Sequence, residues 1–292
     1  MGKKLPITSD KELSEKDLKF IDAPKVQQWL SKSTKNYQVE NIHIKDIAWF
    51  GPNLGFLYMD VTAYDSEGNW IPGLTLIRGG CVAILVILKC AGKKYALFVK
   101  ESRIPAGEDV AQPPAGMIDD HEFKGALSAA IRELEEETGI KITRNEIICL
   151  TDETKQTPCY TSPGTTDETI ISYLVEKDIS PDQIKIIEDT MVHTDEGEHI
   201  KRICIPLKDV PKQPSGIAKQ LWCDYQLYLT QFKEDIYSKI DELEIEKTTL
   251  RRHIVHIMND HEQISVRHHQ SQMLLNYCLV TIGVVIFERF FF

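Results

Sequence analysis

The spacing of apolar positions changes several times along the chain, and each change marks a different kind of element. Residues 39–50, 55–64 and 74–77 carry strand-like apolar runs, with Asp65-Ser66-Glu67-Gly68-Asn69 supplying turn chemistry before the last of them. Residues 81–88, CVAILVIL, are apolar without interruption, which predicts a strand covered on both faces. The turn Ala91-Gly92-Lys93-Lys94 leads from it into a second strand over 95–100. Helical spacing takes over at 124–138, strands return near 147–150, 169–175 and 200–206, and a helix begins at Ser215 with Ile217, Leu221 and Trp222. Upstream, Asp22-Ala23-Pro24 offers an N-cap and an early proline to a short helix over 25–30, whose buried side is Val26, Trp29 and Leu30. Residues 1–20 are polar and charged and read as disordered.

The C-terminal part follows a different rule. Leu229, Ile236, Leu243, Leu250, Ile257 and Ile264 recur at steps of seven, Phe232, Ile240 and Ile254 fill intermediate positions, and neither proline nor glycine occurs over 225–277. This predicts one long helix over 229–270, read as a coiled coil rather than a helix folded back on the preceding domain. Residues 273–287 are almost wholly apolar, and a helix running on to Phe292 spans about 30 Å, the thickness of a bilayer core. Glu288 and Arg289 count against insertion, so apolar packing in a dimer competes with a membrane tail anchor for residues 271–292.

Charge narrows the partners. The 34 basic and 44 acidic residues leave a net charge of −10, which argues against nucleic acid as a general partner and requires local positive charge for any anionic substrate. The seven cysteines are scattered without metal-ligand spacing, which fits a reducing compartment. The opening MGKKLPITSDKELSEKDLKF has no apolar run after its lysines and carries acids, so neither a signal nor a transit peptide is expected and the catalytic part is placed in the cytoplasm.

The densest chemistry lies in GMIDDHEFKGALSAAIRELEEETGI, residues 116–140. Glu133, Glu136 and Glu137 stand at i, i+3 and i+4 of the helix and share one face, while Leu127, Ile131 and Leu134 share another. Like charges so placed repel by roughly 0.2–0.5 kcal/mol per pair, so a counter-charge is expected, and carboxylate oxygens suit Mg²⁺, with Mn²⁺ as the alternative. Gly139 is placed to close the helix in a left-handed conformation.

Arg132 to Ile140, RELEEETGI, resembles the second half of the Nudix box, and Gly116 followed by Glu122 resembles its first half. Nine residues separate Glu122 from Arg132, where the family usually has seven. Further likenesses are Arg78-Gly79-Gly80, Glu101-Ser102-Arg103-Ile104-Pro105, Pro114-Ala115-Gly116, Ser162-Pro163-Gly164-Thr165-Thr166-Asp167-Glu168 and Gly197-Glu198-His199-Ile200. Together they look like the ADP-sugar diphosphatase branch of the Nudix hydrolase superfamily, in its plant type, which cleaves ADP-glucose and ADP-ribose. The likeness covers roughly residues 20–228. It implies an α/β fold: a Nudix α/β/α sandwich with a mixed sheet at 78–228, preceded at 21–77 by an N-terminal antiparallel β subdomain used for dimerisation, and followed by the long C-terminal helix.

The resemblance also assigns roles. Glu133, Glu136 and Glu137 are the expected metal ligands, with the Ala115 carbonyl a fourth, and Arg132 orients the carboxylates. Glu168, in a loop with glycine and proline, is the expected base for the attacking water, and Glu198 is its runner-up. Arg103 is expected to hold a phosphate or the second sugar, Arg78 to lie near the nucleotide, and Trp70 to stack on adenine, with core or dimer packing as Trp70's alternative. Gln112-Pro113 replaces a glutamate and an aliphatic residue usual in relatives, which removes a carboxylate near the site. The expected activity is metal-dependent hydrolysis of a nucleotide-sugar diphosphate to AMP and a sugar 1-phosphate by a homodimer. Hydrolysis of another nucleoside diphosphate derivative, and a catalytically silent nucleotide-binding protein, are the alternatives.

Overall fold

The computed structural model describes residues 5–118, 125–154, 156–193 and 199–260. Glu122, Glu198 and the apolar tail from residue 271 lie outside the described residues. Among the described residues no helix is long and apolar enough to cross a membrane. Two compact units divide the chain, 1–229 and 230–292.

The first unit opens with a small sheet built around one long hairpin. Its elements are β1 (Ile7–Ser9), α1 (Pro24–Asn36), β2 (Gln38–Phe50), β3 (Asn53–Tyr64), β4 (Trp70–Ile71) and β5 (Leu74–Ile77). β4 and β5 both pair antiparallel with β3, and β1 joins β2 in parallel with Ile7 opposite Ile42. Alternation puts Ile42, Ile44, Leu57, Met59 and Val61 on one face, where Val26 of α1 covers them. Residues 5–20, expected to be disordered, instead form β1 and a 3₁₀ turn, Asp17–Asp22, that buries Phe20. Leu5, Leu13 and Phe20 are too far apart to set up a period, yet all three pack on this apolar face.

The second sheet takes its strands from the rest of the unit: β6 (Cys81–Cys90), β7 (Lys93–Arg103), β8 (Glu108–Gln112), β9 (Ala115–Met117), then helix α2 (Ala126–Thr138), β10 (Ile147–Cys149), the short α3 (Leu150–Glu153), β11 (Cys159–Tyr160), β12 (Thr169–Asp178), α4 (Pro181–Asp189), β13 (Met191–His193) and β14 (His199–Pro206). Their order is β10-β12-β6-β7-β14-β13, with β9 on β6, β8 on β7 and β11 on β12. The sheet is mixed, because β12 runs parallel to β6 while β7 and β9 run antiparallel to it.

β6 explains the three-layer architecture. Cys81, Ala83, Leu85 and Ile87 face the start of α5 (Gly216–Asp260), where Ala218, Leu221 and Tyr225 cover them. Val82, Ile84, Val86 and Leu88 point the other way, onto Ala129, Ala130 and Leu134 of α2. An unbroken apolar run is what a strand between two helical layers requires. Leu134 is fully buried, so Leu134→Ala would cost about 2–5 kcal/mol.

Candidate active site

Helix α2 forms because 126–138 is rich in alanine, leucine and glutamate, all good helix formers. It stops at Gly139, whose φ of 72° puts it in the left-handed region and whose N–H donates to the Glu135 carbonyl at 2.8 Å. Arg202 of β14 fastens this end by donating from its guanidinium to the Thr138 carbonyl. The buried face of α2 is Ala129, Ala130 and Leu134, with Leu127 partly covered. Ile131, expected on that face, instead lines a surface hollow beside Arg132, Glu135 and Glu136, because Ala130 and Leu134 already fill the space over β6.

The three box carboxylates sit in different surroundings. Glu137 is buried, and its Oε2 accepts the Ala115 N–H at 3.1 Å. Glu133 is nearly buried, whereas the Glu136 side chain is half exposed. Arg132 joins the last two, donating from Nη1 to Glu133 Oε1 at 2.7 Å and Glu136 Oε2 at 3.0 Å, and from Nη2 to the Met117 carbonyl at 3.3 Å. Its planar fork therefore fixes two carboxylates against β9.

Gly116 shows how closely β9 meets this face. A Cβ built there would lie 1.9 Å from the Glu133 carboxyl carbon and 2.0 Å from its Oε1. Only glycine leaves that volume to the carboxylate. Since the Ala115 N–H points away from β6 to reach Glu137, the Ala115 carbonyl leaves the strand on that same free side. Three carboxylates and one main-chain oxygen make an all-oxygen donor set, the kind that Mg²⁺ and Mn²⁺ take. As arranged here the carboxylates are drawn toward Arg132 and Ala115, and among the described residues no three His, Cys, Asp or Glu side chains converge as a preformed metal cluster.

Glu168 comes to the same end of the sheet by another route. Cys81, the first residue of β6, pairs with Met117 of β9 on one side and with Ile170 of β12 on the other. The strand start thus lies between the Gly116–Glu133 contact and the segment that carries Glu168. Burial pushes the Cys81 thiol up to about 12, and the negative charge of Glu168 adds to the effect, so the thiol stays protonated beside that carboxylate. Glu168 Oε2 accepts from Thr161 Oγ1 at 2.7 Å, and its Oε1 lies 2.9 Å from Arg78 Nη1.

The loop carrying Glu168 is fastened to the N-terminal sheet rather than loose. Leu76 N donates to the Thr165 carbonyl at 2.8 Å, and Leu76 forms a parallel bridge with Thr166. Asp167 Oδ1 accepts from Arg78 N at 2.7 Å and Gly79 N at 3.0 Å. Lys25 of α1 completes the joint: buried at 8% exposure, its Nζ donates to the carbonyls of Leu54 at 2.9 Å and Arg78 at 3.2 Å. Arg78 is thereby held from both sides, and its Nε is buried with no hydrogen-bond partner among the described residues.

Arg103 and Trp70 have other surroundings. Arg103 Nη2 is paired with the buried Glu101, whose Oε1 also accepts from Gln112 Nε2 at 3.0 Å. Gln112 here serves as a donor to a carboxylate. Trp70 is 62% exposed on β4, at the edge of the small sheet. Sequence reasoning missed Lys25, Thr161, Asp167, Cys81 and Glu101 as parts of the site; the one available signal was the position of Asp167 and Glu101 inside the family-like stretches.

Several known proteins resemble this chain. Residues 79–221 match the family model of the NUDIX domain. The chain is 33% identical over 178 residues to Nudix hydrolase 14, chloroplastic, of Arabidopsis thaliana, covering 59% of this chain and 57% of that protein. It is 32% identical over 139 residues to an uncharacterized Nudix hydrolase of Schizosaccharomyces pombe, 48% of this chain and 62% of the relative. An ADP-ribose pyrophosphatase of Bacillus subtilis is 32% identical over 133 residues, 46% of this chain and 61% of the relative. The chain thus spans 57–62% of the length of these relatives.

Proposed function

Since residues 79–221 belong to the Nudix hydrolase superfamily, we propose that the protein hydrolyses the diphosphate of ADP-sugars, ADP-glucose or ADP-ribose, to AMP and a sugar 1-phosphate. The observation that carries this reading is the convergence at Cys81, where β9 brings the Glu133 cradle and β12 brings Glu168 to one strand start. The likeness of residues 20–228 to ADP-sugar diphosphatases supplies the substrate class, and the ADP-ribose pyrophosphatase relative supports it.

Nudix hydrolases in general use divalent cations such as Mg²⁺. In this chain Glu133, Glu136, Glu137 and the Ala115 carbonyl are the proposed ligands of Mg²⁺, or Mn²⁺ in its place. Bound there, the cation supplies charge neutralisation for the diphosphate and acidifies water. Arg132 keeps Glu133 and Glu136 oriented. Glu168 takes the proton of the attacking water, its carboxylate held in place by Thr161 and Arg78. Arg78 and Arg103 offer guanidinium forks to the substrate's phosphates.

The N-terminal sheet is proposed to form a homodimer interface in which the exposed Trp70 reaches the partner's nucleotide pocket. We place the catalytic part in the cytosol, a reading supported by six described cysteines that are all free. The competing substrate class, another nucleoside diphosphate derivative, draws support from Gln112, which removes one carboxylate from the site. Measuring kcat/KM over ADP-glucose, ADP-ribose and sugars of other nucleoside diphosphates, with Mg²⁺ and with Mn²⁺, separates them. ADP-sugars should lead by at least tenfold; a lead by a non-adenine substrate overturns the assignment, and no turnover of any overturns the hydrolase reading.

A further inference from the structure

We propose that helix α5, from residue 230 onward, pairs in parallel and in register with the same helix of a second copy, forming a two-stranded coiled coil. The helix is continuous over Gly216–Asp260, and its 31 residues from Thr230 to Asp260 span about 45 Å. Written as heptads, abcdefg, Ile236, Leu243 and Leu250 fall at d, where leucine and isoleucine make the apolar seam. Position a carries Lys233, Ile240, Lys247 and Ile254. β-Branched residues at a favour two strands, and a buried polar residue at a fixes register and strand number at a cost in stability. The alternation of lysine with isoleucine at a therefore selects a dimer aligned with itself.

The flanking positions identify the partner as this chain. In a parallel pair, position g of one helix meets position e of the other five residues further on. That rule sets Phe232 against Tyr237, Lys239 against Glu244, and Glu246 against Arg251. Two contacts are between opposite charges, one is aromatic on aromatic, and none is between like charges. Tyr237 and Leu250 are 66% and 44% exposed, while the seam positions Ile236, Ile240, Leu243 and Lys247 are partly covered. Within a single helix Lys239 pairs instead with Glu242 at 2.6 Å and Lys247 with Glu244 at 2.9 Å, so association exchanges local contacts for contacts across the seam. A different protein, or another part of this chain, has no reason to match a pattern complementary to itself. The inference stands independently of the hydrolase reading.

Leu250→Cys in the full-length chain tests it. In register, the two introduced thiols face each other across the seam with Cα atoms about 6 Å apart, within disulfide range. Gentle oxidation should give a covalent dimer that neither the unsubstituted chain nor Ser238→Cys, on the outer face, gives. An absence of cross-link at 250, or equal cross-linking at 238, overturns the proposal, and an antiparallel pair gives the same negative result. In sedimentation, Lys239→Glu should weaken the dimer about fivefold, and adding Glu244→Lys should restore it. Both changes also break pairs within the helix, so rescue comes only from across the interface; no rescue removes the pairing scheme.

Discussion

Arg78 Nη1 stands 2.9 Å from Glu168 Oε1, so the arginine expected near the nucleotide holds the residue expected to be the base. The pair bridges the two sheets, since Arg78 follows β5 of the small sheet and Glu168 precedes β12 of the large one. The two variants separate their roles. Glu168→Gln should lower kcat by about 10²–10⁴ with little change in KM, the range for loss of a general base. Arg78→Ala should act mainly through KM. Steady-state kinetics check both, and a Glu168→Gln enzyme with normal kcat removes the base assignment.

Glu136→Gln and Glu137→Gln should each reduce turnover by about 10²-fold or more while the melting temperature stays close to that of the parent chain. The fold is spared because α2 packs through Ala129, Ala130 and Leu134, and an amide at 137 still offers an oxygen to the Ala115 N–H. Calorimetric titration with Mg²⁺ should show weakened binding in both. Binding and turnover like those of the parent in either variant would exclude that carboxylate as a ligand.

Gly116→Ala is a sharper probe, since the three atoms nearest the added methyl all belong to the far end of the Glu133 side chain. The carboxylate swings away and the backbone stays. Activity should drop by about 10–100-fold, the usual effect of misplacing a ligand's support, with little loss of thermal stability. Equal losses of activity and of fold would mean that the strand itself cannot accept the methyl group.

Acid stability offers a test outside the site. Lys177, followed by the Thr143 backbone and hydroxyl, holds the Glu146 carboxyl down at about 2 against a usual 4.5. A carboxyl depressed in the folded state favours folding above its unfolded value and loses that contribution as pH falls from about 4.5 toward 2. Glu146→Gln should therefore flatten the dependence of stability on pH in that window and leave its slope near neutrality unchanged. Denaturant melts from pH 2 to 7 measure this, and an unchanged acid slope would show the pair to be without thermodynamic weight.

What was legible depended on length and on locality. β6 could be read because both of its faces are covered, and α2 because its acidic and apolar positions repeat at helical spacing. β4 and β11, of two residues each, and β13, of three, are too short to show any period. Helix α4 did announce itself through a capping box, Ser180 with Gln183, but its Ile186 is exposed, so no apolar stripe drew attention to it. Lys25 was invisible for a different reason: a lysine on a helix reads as surface, and only the two carbonyls of Leu54 and Arg78, distant in sequence, make its burial tolerable. The carboxylates proposed as catalytic were individually readable from family-like motifs, whereas the Arg78–Glu168 pairing depends on β5 and the 162–168 loop lying side by side.

That adjacency bears on where the smallest working piece of this protein begins. The family match starts at residue 79, one position after Arg78. An excised fragment cut at that border would keep the acidic face of α2 yet lose the partner of Glu168, the Leu76 edge that backs its loop and the lysine that pins the joint. The small sheet is thus one wall of the proposed reaction chamber. Grafting residues 79–221 onto another scaffold, or trading the front half of the chain with a relative, would have to move residues 21–78 together with the core or rebuild that wall.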